Sequence, residues 1–160
     1  MKSAVFAPLA LALGTLALAA CGGQKAPAAG EAAKAPEGIS VGDGRLVLPA
    51  VKGNPGAIYF TLHNDSASDV TIEGAAVKGA QSAMIHQTMT ANGMSGMQMV
   101  PTLAVPAKGD LAFKPGGLHL MAMDLADTLA KGGTTDVTLT FGNGDEAVFP
   151  VEILAAGDAR

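Results

Sequence analysis

Ala57-Ile58-Tyr59-Phe60-Thr61-Leu62-His63 alternates apolar and polar side chains with a period of two. Successive side chains of a strand point to opposite faces, so Ile58, Phe60 and Leu62 take one face and Tyr59, Thr61 and His63 the other. Turn residues bound the stretch, Asn54-Pro55-Gly56 before it and Asn64-Asp65-Ser66 after it. The same alternation sets Val137, Leu139 and Phe141 against Thr138 and Thr140, and recurs at Phe149, Val151 and Ile153. Shorter strands are expected at Arg45–Leu48, Val70–Val77, Ala83–Thr88, Met97–Val100, Leu111–Lys114 and Leu118–Met123. Between them lie Gly42-Asp43-Gly44, Ala91-Asn92-Gly93, Pro115-Gly116-Gly117 and Gly142-Asn143-Gly144, which supply the positive φ angles of tight turns. Only Asp124–Lys131 reads as briefly helical, ending at Gly132-Gly133. Many short strands at this spacing predict an all-β domain, an antiparallel sandwich or Greek-key barrel over residues 39–156.

The flanks differ in kind. Met1-Lys2-Ser3 is a short basic start, and residues 4–20 form an uncharged Ala/Leu run ending Leu18-Ala19-Ala20-Cys21-Gly22. That order describes an export signal over residues 1–20. Leu at −3 and Ala at −1 of Cys21 resemble the bacterial lipobox, which implies that Cys21 is lipidated and becomes the mature N-terminus. The expected location is periplasmic and membrane-anchored, and Gly22 in place of Asp favours the outer membrane. Residues 21–38 are Ala, Pro and Gly with a few charges and no large apolar side chain, so they read as a flexible tether.

Composition narrows the function. Ten basic residues against 14 acidic ones give a net charge of −4, which argues against nucleic acid as a partner. One Cys among 160 residues leaves no internal disulfide framework and no multi-cysteine zinc or iron–sulfur site. No Ser-His-Asp order, phosphate loop or paired carboxylates stands out, so the chain is not read as an enzyme.

Methionine carries the signal. Apart from Met1, all of them fall between residues 84 and 123: Met84, Met89, Met94, Met97, Met99, Met121 and Met123. His86 and His119 share that interval. Core filling predicts methionines scattered wherever packing leaves gaps, not gathered beside histidine. On a strand, His119, Met121 and Met123 share one face while Leu118, Leu120 and Ala122 take the other. Thioether sulfur is a soft donor that selects Cu(I), and imidazole also binds copper. Zinc gains little from Met, calcium and magnesium want oxygen, and a blue-copper centre needs a thiolate the domain lacks. Cu(I) is therefore the expected ion, with Cu(II) left open.

His86, Met97, His119 and Met121 form the pattern H-x10-M-x21-H-x-M, and the segment KPGGLHLMAM (residues 114–123) surrounds the last two. This resembles the signature of the PCu(A)C periplasmic copper chaperone family over roughly Gly56 to Phe149. The resemblance implies a cupredoxin-like β-sandwich that binds Cu(I) near its surface through His86, Met97, His119 and Met121. It also implies delivery of copper to the CuA centre of cytochrome c oxidase or to another copper assembly protein. Spacing favours Met97, whereas alignment on the following Pro101 favours Met99, and both share a strand face. Met89 and Met94 fall in a Gly-containing loop and are read as auxiliary capture ligands or, preferably, plain loop residues. Met84 and Met123 are read as packing or as supports beside the ligands rather than as a fifth ligand. His63 is read as an exposed residue near a turn, and Asp124 or Asp127 as a candidate partner for an imidazole N–H. A copper-buffering or resistance lipoprotein on the same fold, and a metal-free structural β-sandwich, are the competing expectations.

Overall fold

The computed structural model describes residues 35–91 and 93–158. The expected signal at residues 1–20, Cys21 and most of the tether lie outside them. Residues 35–38, placed in the tether by composition, form a turn in which Pro36 is buried and its carbonyl accepts the Ile39 N–H at 3.0 Å.

Ten strands follow: β1 Ile39–Val47, β2 Gly56–Asn64, β3 Val70–Val77, β4 Ser82–Ala91, β5 Met94–Met99, β6 Leu103–Val105, β7 Gly109–Phe113, β8 Leu118–Met123, β9 Thr134–Phe141 and β10 Glu146–Leu154. They form one connected sheet in the order β5-β4-β8-β7-β2-β1-β10-β9-β3-β6, with an added β8–β2 pairing. Pairing is antiparallel as expected, with two departures: β1 runs parallel to β10, and β7 meets β8 in parallel.

Alternation builds the core. Ile58, Phe60 and Leu62 of β2, Val137, Leu139 and Phe141 of β9, and Phe149, Val151 and Ile153 of β10 are all buried. Phe60 stacks on Phe113 at 4.1 Å between ring centres and meets Phe149 at 5.1 Å, so aromatic rings from β2, β7 and β10 converge in the core. Each such ring removes a large apolar area from water, the dominant favourable contribution to folding.

Gly42-Asp43-Gly44, expected as a turn, is instead a β-bulge inside β1. Gly42 pairs with Thr61 but Arg45 pairs with Tyr59, so one extra residue is absorbed. Asp43 takes φ 57°, and a Cβ on Gly44 would lie 2.8 Å from the Val151 side chain. The bulge shifts the alternation by one, burying Leu46 beside Ile58 and leaving Arg45 on the water face with Tyr59.

Asp124–Lys131 is not helical, and the described residues contain no helix. Leu125 and Leu129 have helical spacing and both pack against the core. Asp124, however, has φ 51°, and the Ala126 N–H bonds the Gly79 carbonyl at 2.7 Å. Eight residues cannot repay helix nucleation on their own, so tertiary hydrogen bonds decide the conformation.

Candidate metal centre

The turn before β8 fixes the first imidazole. Lys114-Pro115-Gly116-Gly117 has Pro at the second position and Gly116 at φ 75° in the third, and the Gly117 N–H donates to the Lys114 carbonyl at 3.0 Å. This points the Gly117 carbonyl at His119, whose Nδ1 lies 3.1 Å away. A carbonyl only accepts, so Nδ1 carries the proton and Nε2 keeps the lone pair that a metal requires. His119 is only 6% exposed, so this tautomer is held within a packed setting.

The second imidazole stands beside the first. In the β4–β8 register His86 faces His119 directly, and the rings lie 6.1 Å apart, 24° from parallel. Two imidazoles on one metal, each bonded at about 2 Å, place their centres roughly 5–6.5 Å apart, and the pair falls in that window. His86 Nδ1 is buried and has no hydrogen-bond partner among the described residues. Native proteins rarely leave such an atom unpaired. Nothing on His86 fixes its tautomer, so its ring is free to present a lone pair to an ion.

The thioethers surround this pair on the same face. Facing residues of an antiparallel pair point to the same side, and so do residues two apart. Met99 faces His86 across β4–β5, and Met97 faces Thr88, two residues further along β4. Met84 faces Met121 across β4–β8. The set of His86, His119, Met97, Met99, Met121, Met84 and Met123 therefore occupies one side of three neighbouring strands. Ile85 and Leu120, which alternate with them, fill the core behind. Met97 and Met99 are 63% and 53% exposed. Among the described residues no three His, Cys, Asp or Glu side chains come together, so any metal-sized donor set here depends on methionine.

Several expectations change. Met89 and Met94 are not in a loop: Met89 lies in β4 opposite Gly96, and Met94 in β5 opposite Ala91. They stand on the reverse side of the hairpin from His86. Asp124 and Asp127 do not orient either imidazole; Asp127 pairs with Lys52 at 2.7 Å, and a backbone carbonyl serves His119 instead. His63 is half-exposed within β2, with Nδ1 2.7 Å from Asp110 Oδ1, distant in register from the methionines. The sequence reading also passed over Arg45. Its guanidinium lies 5.3 Å from the Tyr59 ring centre, and Tyr59 lies 6.5 Å from His119. Tyr59 was legible as outward-facing, but its neighbours depend on long-range register.

Comparison with known proteins identifies the family and the fold. The model of the "LpqE-like: Putative lipoprotein LpqE-like" family matches residues 39–153. "Putative lipoprotein Lxx21020" of Leifsonia xyli subsp. xyli (strain CTCB07) is 32% identical over 98 residues, covering 61% of this chain and 59% of the relative. The chain thus spans about three fifths of the length of that relative. The solution structure of CuI-DR1885 from Deinococcus radiodurans is 32% identical, with TM-score 0.62, over 80% of this chain and 85% of that one. The copper-bound PCuAC domain from PmoF2 shares the fold at 17% identity and TM-score 0.63, over 76% of this chain and 97% of that one. The cupredoxin-like all-β fold expected from the sequence is the fold these domains share.

Proposed function

The chain belongs to the LpqE-like lipoprotein family, and its domain is of the PCuAC type; from this premise we propose that it is an extracytoplasmic copper chaperone, not an enzyme. It takes up Cu(I) through His86, His119, Met121 and a β5 thioether, Met97 on spacing or Met99 on register. Cys21 carries the lipid anchor after removal of residues 1–20, residues 21–38 tether the 39–156 domain, and the outer membrane is the favoured site. The recipient is the CuA subunit of cytochrome c oxidase or another copper assembly protein.

One observation carries the reading: two directly facing imidazoles, one with its tautomer set by Gly117, share a face with exposed thioethers on β5 and a half-buried one on β8. Neutral N and S donors match Cu(I), and without a thiolate they cannot be disabled by disulfide formation outside the cytoplasm. Thioethers bind less strongly than thiolates, so incoming Cys or His ligands of a recipient displace them stepwise. The CuI-DR1885 structure is described as a Cu(I) form of a protein 32% identical to this one, which supports Cu(I) as the cargo.

Anaerobic Cu(I) competition against a chromogenic chelator tests the site. The wild type is expected to hold copper, and the His119→Ala, Met121→Ala variant to lose it while keeping its strand circular dichroism. Equal affinity would remove the site. Incubating the loaded protein with a purified CuA domain then separates delivery from buffering: copper that stays put marks a buffering lipoprotein.

A further inference from the structure

We propose that Met84, Met99 and Met121 form a second, all-thioether position for a soft monovalent cation, directly beside the imidazole pair. Met84 faces Met121 across β4–β8, and Met99 faces His86, two residues along β4 from Met84. Facing residues of an antiparallel pair have Cβ atoms about 5 Å apart, and diagonal neighbours are about 7–8 Å apart, within reach of long side chains. Met99 and Met121 lie on opposite sides of β4, two strand spacings or about 10 Å apart, and the three rotatable bonds of methionine let their sulfurs reach over Met84 toward one ion.

Packing does not account for these side chains. Met84 and Met121 are half-buried and Met99 is exposed, all on the side opposite buried Ile85 and Leu120. Three uncharged sulfurs select Cu(I) or Ag(I) over zinc, calcium or magnesium, which need harder donors.

Met97 has the spacing of the imidazole site; Met99 faces His86 in register and lies diagonal to Met84, so it can reach either position. Met121 lies between the positions, facing Met84 and two residues from His119. An ion moving between them exchanges imidazole for thioether without leaving the protein. This rests on the copper reading above for the identity of the natural ion, and the experiment keeps the two apart.

Silver(I) nitrate in chloride-free buffer is a redox-silent probe. The full chain, carrying methyl-labelled methionine, is titrated and followed by native mass spectrometry and methyl NMR. The His86→Ala, His119→Ala variant is expected to retain one Ag(I), with shifts at the Met84, Met99 and Met121 methyls. Adding Met84→Leu and Met99→Leu should weaken that ion by about 10- to 100-fold, the range that disturbing a metal's surroundings costs. In the otherwise wild-type chain Met84→Leu alone should abolish the second equivalent and spare the first. Loss of all Ag(I) from the His variant, or binding indifferent to the Leu substitutions, would overturn the second position. Identical Ag(I) binding by the wild type and the His variant would instead overturn the imidazole site, whatever the Leu substitutions do.

Discussion

Asn64 ends β2 and is 1% exposed, and its amide is the most heavily bonded side chain among the described residues. Nδ2 donates toward the carbonyls of Ser68 at 2.9 Å, Pro106 at 3.0 Å and Val105 at 3.2 Å. Oδ1 accepts from the Ser66 N–H at 3.0 Å and the Ser66 hydroxyl at 2.6 Å. One side chain thus ties the end of β2 to the approach to β3 and to the link between β6 and β7. Asn64→Ala removes both ends of this network. The buried end of β6 at Val105 loses its side-chain donor, while water can reach the groups nearer the surface. At about 1 kcal/mol per bond that water cannot replace, the loss is about 2–4 kcal/mol. For a domain of this size that lowers the Tm by on the order of 10 °C. Asn64→Asp sharpens the test, because it keeps the Ser66 bonds but aims a carboxylate oxygen at three carbonyls. It should be at least as destabilising as Ala at neutral pH. Carbonyl neighbours and burial raise a carboxyl pKa in the folded state, so its deficit should shrink as pH falls toward about 4, when the protonated acid donates a bond. Urea unfolding of the metal-free protein measures both variants, and Cu(I) affinity should not change, since Asn64 pairs with Ile39 and Gly109 while Ala57 at the other end of β2 pairs with Met121. Unfolding free energies within about 0.5 kcal/mol of wild type, the spread of ordinary surface substitutions, would refute the reasoning.

Four further outcomes are expected. Gly56→Ala places a Cβ 2.9 Å from Leu125 Cδ1 and 3.0 Å from Leu46 Cδ1, and calorimetry should register the overpacking as about 1–3 kcal/mol of lost stability. Met97→Leu should weaken Cu(I) in the imidazole position by about 10- to 100-fold, and Met99→Leu by less; the reverse order in chelator competition would place Met99 there. Acidification should lower Cu(I) affinity, because a protonated imidazole has no lone pair for a metal, and a pH-independent affinity from about pH 5 to 8 would contradict the two His ligands. The Asp158 carboxyl is held below its ordinary range by a hydrogen bond from Lys131, then by the Ala155 N–H. Its contribution is therefore present above the unfolded carboxyl pKa and disappears as pH falls through the depressed folded value; for so exposed a pair, Asp158→Asn should shift neutral-pH unfolding little.

Local pattern carried much of the fold. Val70–Val77 and Leu118–Met123 are strands with the limits read from sequence, and the alternation in β2, β9 and β10 put the right side chains into the core. The failures are non-local. Leu103–Val105 is too short for a periodic signal and becomes β6 only by pairing with β3. Gly42-Asp43-Gly44 carries turn chemistry that a bulge uses equally well, and only the partner strand distinguishes them. Asn64 looked like a turn residue, though it is buried and bridges three segments. At the candidate site, the shared face of His119, Met121 and Met123 followed from spacing on one strand. That His86 faces His119, Met84 faces Met121, and Tyr59 neighbours His119 required the register between strands far apart in sequence.

That register divides the proposed donors by rigidity. β4 is paired on both sides, and β8 lies between β4 and β7 and also pairs with β2, while Ile85 and Leu120 anchor them to the core. Their imidazoles are therefore set before an ion arrives, and ordering them costs little on binding. Among the described residues β5 is an edge strand, paired only with β4, and all six of its residues are exposed. Its six residues carry no charge, so little besides the β4 ladder holds the arm in place. Thioethers on such an arm are the donors most easily withdrawn when a competing ligand approaches from solvent. Firm capture by the inner strands and stepwise release at the edge are what a carrier needs, whereas a site meant to retain its metal would place every ligand on strands fixed from both sides.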